Sequence, residues 1–149
     1  MKSIAIFFAV AIATSTAAVA NSWVPDKTVD RMTDEKSCTV QAHPHVVGAP
    51  SIHYRGSGYA YTAGSVYLLD GNLPLRYAMF RVDRNKAVSQ ENDNFGIHRD
   101  KAAELIAQMR VGTKVLTEYS ERMNPSVKLN EFRLEGIGKA LDECIAFVR

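Results

Sequence analysis

An apolar run, Ile4 to Ala13, follows the short positive start Met1-Lys2, and no comparable block recurs along the chain. Its length of about ten residues suits the h-region of a secretory signal peptide and falls well short of a membrane span. Ala18-Val19-Ala20 has the small-x-small form that signal peptidase cuts. Residues 1–20 are therefore expected to be a signal peptide and residues 21–149 a single exported domain. Residue 21 is Asn, so the lipid-modified cysteine of a lipoprotein is absent.

Beyond the cleavage site the apolar positions first repeat with period two. Trp23 to Val29 and Ser37 to Gln41 predict two short strands flanking the polar stretch Arg31 to Lys36, a hairpin-like opening. His43-Pro44-His45 and Gly48-Ala49-Pro50 predict a loop. Three strand-like runs follow: Ile52 to Tyr54, Tyr59 to Thr62 and Ser65 to Leu69, separated by Gly56-Ser57-Gly58 and Ala63-Gly64. Asp70-Gly71-Asn72 turns the chain into Leu75 to Val82, the longest β candidate, and Asp83 to Lys86 turns it again toward Ala87 to Ser89. Gln90 to Asn94 is polar and expected to be exposed.

The period then changes to 3.6. Ala102, Leu105, Ile106 and Met109 form one helical stripe, with Asp100 placed to cap its first turn and Gly112 just past its end. Thr113 to Tyr119 and Leu129 to Leu134 read as a second hairpin broken by Asn124-Pro125-Ser126. Ile137, Ala140, Leu141, Cys144, Ile145 and Val148 then make an apolar stripe that turns Cys144 toward the core of a terminal helix. The sum is a mainly β fold, an antiparallel β-sandwich or half-barrel with two short helices, the last at the C-terminus.

Export changes the meaning of the two cysteines. An even pair in an oxidising compartment is expected to be a disulfide, and Cys38 and Cys144 are the sole candidates. The formal net charge of +2 is small and evenly spread, which argues against nucleic acid or an anionic membrane as partner.

Trp23, the segment Met32 to Cys38, the run Arg76 to Asp83, the stretch Lys101 to Val115 and the ending Phe132 to Cys144 together resemble the invasion-associated locus B family of exported bacterial proteins. The ending is also similar to that of periplasmic accessory proteins of type VI secretion. The resemblance covers most of residues 21–149, although a cysteine expected shortly after Trp23 is missing. It implies an exported, largely β protein linked to host-cell invasion in some pathogens, and it brings no catalytic residues.

The search for chemistry is consistent with a non-catalytic protein. His43, His45 and His53 are candidate metal ligands, but Pro44 favours a solvated loop. Asp70-Gly71-Asn72 lacks the acidic pattern of a calcium loop, and Gly56-Ser57-Gly58 lacks the nucleophile elbow. Beside Arg55, that glycine pair also lacks the lysine and helix of a phosphate loop. Glu118, Glu121, Glu131 and Glu135 read as charges on a hairpin face rather than as a catalytic pair. No cofactor is implied.

The aromatic distribution is less bland, because five of the six tyrosines fall between Tyr54 and Tyr77. Tyrosine combines contact area with a polar handle. Tyr54, Arg55, Tyr59, Tyr61 and Tyr67 are accordingly the candidate binding surface. The expected function is that of a periplasmic or secreted protein binding another protein or an envelope component, as a monomer or weak oligomer. The alternative is a periplasmic inhibitor or immunity protein that blocks a toxin or cell-wall hydrolase through His43 to Pro50 or Glu121 to Lys128.

Overall fold

A computed structural model describes residues 22–44, 46–57, 60–69, 75–89, 96–121 and 126–149. The expected signal segment, the Asp70-Gly71-Asn72 turn and the polar stretch Gln90 to Asn94 lie outside them. Among the described residues eight strands and two helices follow in the order β1 (Ser22–Val29), β2 (Lys36–His43), β3 (Ala49–Ser57), β4 (Ala60–Leu69), β5 (Leu75–Val82), β6 (Val88–Ser89), α1 (Arg99–Val111), β7 (Lys114–Glu121), β8 (Val127–Arg133) and α2 (Ile137–Val148). They form two antiparallel four-stranded sheets, ordered β1-β2-β3-β4 and β6-β5-β7-β8.

Period-two alternation gives each sheet an inner, apolar face. Cys38, Val40 and Ala42 point inward from β2, while Ser37, Thr39 and Gln41 between them stay half-buried. Ala78, Phe80 and Val82 repeat this on β5, and Val115, Thr117 and Tyr119 on β7. One buried cluster runs through both sheets and both helices. Trp23 is part of it, and its indole Nε1 donates to the Arg133 carbonyl at 2.8 Å, joining edge strand β1 to edge strand β8.

A second tie comes from the turn before β3. Gly48 has φ +87°, a left-handed conformation favourable only for glycine, and a Cβ there would meet Asn130 and Tyr119 side-chain atoms at 2.4 and 2.6 Å. Its carbonyl accepts the Thr117 hydroxyl at 2.6 Å, which satisfies a fully buried oxygen. The turn therefore packs into the second sheet, and Ala49-Pro50, expected in a loop, already belongs to β3.

Two further expectations change. From Ala60 on, the runs expected to end at Thr62 and to begin at Ser65 are one strand, because Ala63 and Gly64 fall at the register shift between the Arg55–Thr62 and His53–Ser65 pairs without ending it. Asp100 sits inside the first turn of α1, and His98 holds the N-cap position with no side-chain capping bond.

The helices cover different strands of the first sheet, and α1 also reaches β5 of the second. Helix α1 buries Ala102, Leu105, Ile106 and Met109 and packs on β4 and β5, whereas α2 packs on β1, β2 and β3. Helix α2 buries Ile137, Ala140, Leu141, Cys144 and Val148, the stripe expected from its period. Cys144 is disulfide-bonded to Cys38, with Cα atoms 5.3 Å apart across 106 residues of sequence. In the chain-entropy account a loop of that length stabilises the fold by about 4–5 kcal/mol.

At the end of β5, Asp83 accepts from the Thr113 hydroxyl at 2.6 Å and from the backbone N–H groups of Thr113 and Lys114. These bonds favour the carboxylate and hold its pKa below the usual value, with the Thr113 hydroxyl the largest cause. They fix the start of β7 beside the end of β5.

Candidate functional site

Strand alternation divides the tyrosine cluster. Tyr54 follows Ile52 on the inner face of β3, pairs across the ladder with Cys38 and is 2% exposed, so it belongs to the core and not to a displayed surface. Tyr67 lies half-buried on the opposite, outer face of the first sheet. Tyr77 is on the second sheet, where its hydroxyl donates to Glu118 Oε1 at 3.0 Å. Tyr59 lies outside the described residues, and Tyr61 is described only as part of the β4 backbone.

What gathers on the outer face of the first sheet is a cluster around His53. Its exposed imidazole lies 3.2 Å from Thr39 Oγ1 through Nδ1 and 3.2 Å from Ser51 Oγ through Nε2. Thr39 is the cross-strand partner of His53, and Ser51 precedes it by two residues, so the pleat itself puts all three on one face. Tyr67 stands against the His53 ring in a T-shaped contact with centroids 4.8 Å apart. Partial desolvation among these neighbours lowers the pKa of His53 from its ordinary value of 6.5. The ring is accordingly neutral at pH 7, donating through one nitrogen and accepting through the other.

A segment far along the chain completes the cluster. Val66 and Ile97 exchange backbone hydrogen bonds of 3.0 and 2.8 Å, laying residues 96–98 along the edge of β4. Gly96 lies flat against the Tyr67 ring: a Cβ there would meet Cδ1 and Cε1 at 2.7 Å, and its φ of +133° is one that L side chains rarely adopt. His98, exposed, then contacts Tyr67 edge-on with centroids 5.5 Å apart. The result is a row of three rings, His53, Tyr67 and His98, bordered by hydroxyls.

Arg55, two residues beyond His53 on the same strand, is exposed and pairs through Nε with Glu35 Oε1 at 2.8 Å. The pair links β3 to the β1–β2 turn. Comparison of the chain with family models, curated proteins and solved structures finds no match. The chemistry of the site is therefore read from its own geometry.

Ser51 is only 2% exposed, covered on the face where it meets His53, so its hydroxyl serves the imidazole and offers solvent no nucleophile. Of the three histidines considered as metal ligands, His43 ends β2, His45 lies outside the described residues and His53 is held by hydroxyls. Among the described residues no group of three His, Cys, Asp or Glu side chains is placed to hold a metal ion. Three of the four late-hairpin carboxylates are engaged, Glu118 by Tyr77, Glu131 by Lys114 at 2.8 Å, and Glu121 by Lys128, whose pKa this contact raises, while Glu135 is exposed after β8. No helix among the described residues is long and apolar enough to cross a membrane.

Sequence reasoning found Arg55 and Tyr67 but missed Thr39 and Ser51 as neighbours of His53 and His98 as a neighbour of Tyr67. The period-two pattern places Thr39 and His53 on outer faces, yet only the β2–β3 register makes them partners. Nothing local in Ile97-His98 announces the bridge to Val66.

Proposed function

We propose that this protein is an exported, non-catalytic bacterial binding protein, periplasmic or secreted, of the kind the invasion-associated locus B resemblance implies. It acts by contact with a protein or envelope component. The observation that carries this reading is the row of His53, Tyr67 and His98 on the outer face of the first sheet. Rings and hydroxyls held in place by neighbours lose little side-chain freedom when a partner covers them, the property that makes such residues effective at interfaces. Arg55 at the border adds a charged, hydrogen-bonding edge. The disulfide between Cys38 and Cys144 suits an oxidising compartment.

The test compares capture from an envelope extract by wild-type residues 21–149 and by His53→Ala/Tyr67→Ala, with the partner identified by mass spectrometry. Loss of a wild-type partner by a double variant with an unchanged circular dichroism spectrum is expected. Capture of that partner at the wild-type level would remove the outer face from consideration.

A further inference from the structure

The turn between β1 and β2 is held more firmly than its position at a hairpin tip requires. The Asp30 side chain accepts the backbone N–H of Met32 at 2.7 Å and of Thr33 at 3.1 Å, an Asx turn. The Asp30 N–H donates to the Glu35 carbonyl at 2.9 Å, and the Asp34 N–H to the Asp30 carbonyl at 2.8 Å. Glu35 is then anchored to Arg55 on β3. All of these bonds run through backbone groups and the side chains of Asp30, Glu35 and Arg55, and none uses the side chain of Met32.

That side chain stands 92% exposed, the most exposed large apolar residue among those described. The other described methionines differ. Met109 is fully buried in α1, and Met79 is half-buried on β5. The thioether of Met32 is thus open to solvent on a fixed backbone that does not depend on it.

We propose that Met32 is an oxidation site at which peroxides convert the thioether to a sulfoxide while the fold stays unchanged. The sulfur attacks one peroxide oxygen and bonds it, the O–O bond breaks, the sulfur is oxidised by two electrons, and the other oxygen of hydrogen peroxide leaves as water with the proton released from the first. Oxidation turns the apolar tip into a polar one, because the sulfoxide oxygen is a strong hydrogen-bond acceptor. The tip keeps its shape, since its hydrogen bonds are made elsewhere. The inference is independent of the binding role proposed above.

Trypsin separates the sites, because cleavage at Arg and Lys leaves Met32 in peptide 32–36, Met79 in 77–81 and Met109 in 102–110. Met123 reports separately in 123–128. The intact, disulfide-bonded protein is treated with limiting hydrogen peroxide, and each peptide is followed by mass spectrometry. Peptide 32–36 is expected to gain one oxygen about tenfold or more faster than 102–110, whose sulfur waits for local opening of α1. The oxidised protein and Met32→Gln should both melt with wild type. Oxidation of Met79 or Met109 as fast as Met32, or a lowered melting temperature on oxidation of Met32 alone, would overturn the proposal.

Discussion

The two sheets are fastened in different ways. The first is held from its inner side, where α2 lies over β1, β2 and β3 and the Cys38–Cys144 bond joins helix to strand. Its outer face carries neutral groups, Thr39, Ser51, His53 and Tyr67, in a hydrogen-bonded and stacked arrangement. The second sheet has no covalent tie. It is braced by Asp83 at one end and, on the outside, by Lys114–Glu131 and Tyr77–Glu118. A sheet secured from within needs little bracing on its outer face beyond the Arg55–Glu35 pair at the border, and there the ring cluster collects.

The sharpest way to break this contrast is to remove the fastening of the first sheet. Leu141 is fully buried on α2, so Leu141→Asp forces a charge into the core and should destabilise the domain by roughly 4 kcal/mol or more. Lys139→Asp, on the exposed side of the same helix, should leave the melting temperature nearly unchanged. Equal melts for Leu141→Asp and wild type would mean that the first sheet does not depend on α2.

Next in size is the covalent tie itself. Cys38→Ala/Cys144→Ala should cost about 2–5 kcal/mol in denaturant titration. Hydrogen exchange should also speed up more in β1, β2 and α2 than in β5, β7 and β8. Uniform acceleration across both sheets would show that the bond constrains only the unfolded chain and that the contrast is not local.

A smaller effect is expected at the brace of the second sheet. Asp83→Ala removes the acceptor for Thr113 and Lys114 and should lower the melting temperature less than loss of the disulfide, with faster exchange confined to the β5–β7 ladder. The carboxylate has a lowered pKa in the fold, so its contribution is fully present above the unfolded value of 3.8 and is lost as pH falls through the folded value. Asp83→Ala should accordingly flatten that part of the acid limb of stability.

The smallest effect belongs to the outer face of the first sheet. His53 has a pKa lowered from 6.5, so above that value both states are neutral and the residue costs nothing. As pH falls below it the unfolded chain takes up the proton first, and stability declines until the folded value is reached. His53→Gln should remove this decline, measured as the difference in melting temperature between neutral and mildly acidic buffers. An identical pH dependence in the variant would mean that the imidazole is not desolvated by Thr39, Ser51 and Tyr67.

Much of the fold was legible in the chain because the signals were local. The stripe of Ile137, Leu141, Cys144 and Val148 specified both α2 and its buried side, and that side sent Cys144 toward the only other cysteine. Alternation on β2 likewise specified which residues face the core. Tyr54 and Tyr67 could not be told apart in this way. Each sits in a strand-like run, and the bulge between His53 and Arg55 shifts the β3–β4 register between them.

Sequence alone thus determined the mainly β class and the two helices with their apolar faces, properties of spacing within single elements, and the one possible disulfide, a property of the cysteine count. The tertiary structure decided the rest. Strand register made partners of Thr39 and His53, the Val66–Ile97 bridge carried His98 to Tyr67, and the close packing of Gly48 against Tyr119 and Asn130 turned an expected surface loop into a join between the sheets. The physical reason is the same in each case: these contacts unite residues far apart in sequence, and their energies are fixed by which elements pack together rather than by the residues of any one element.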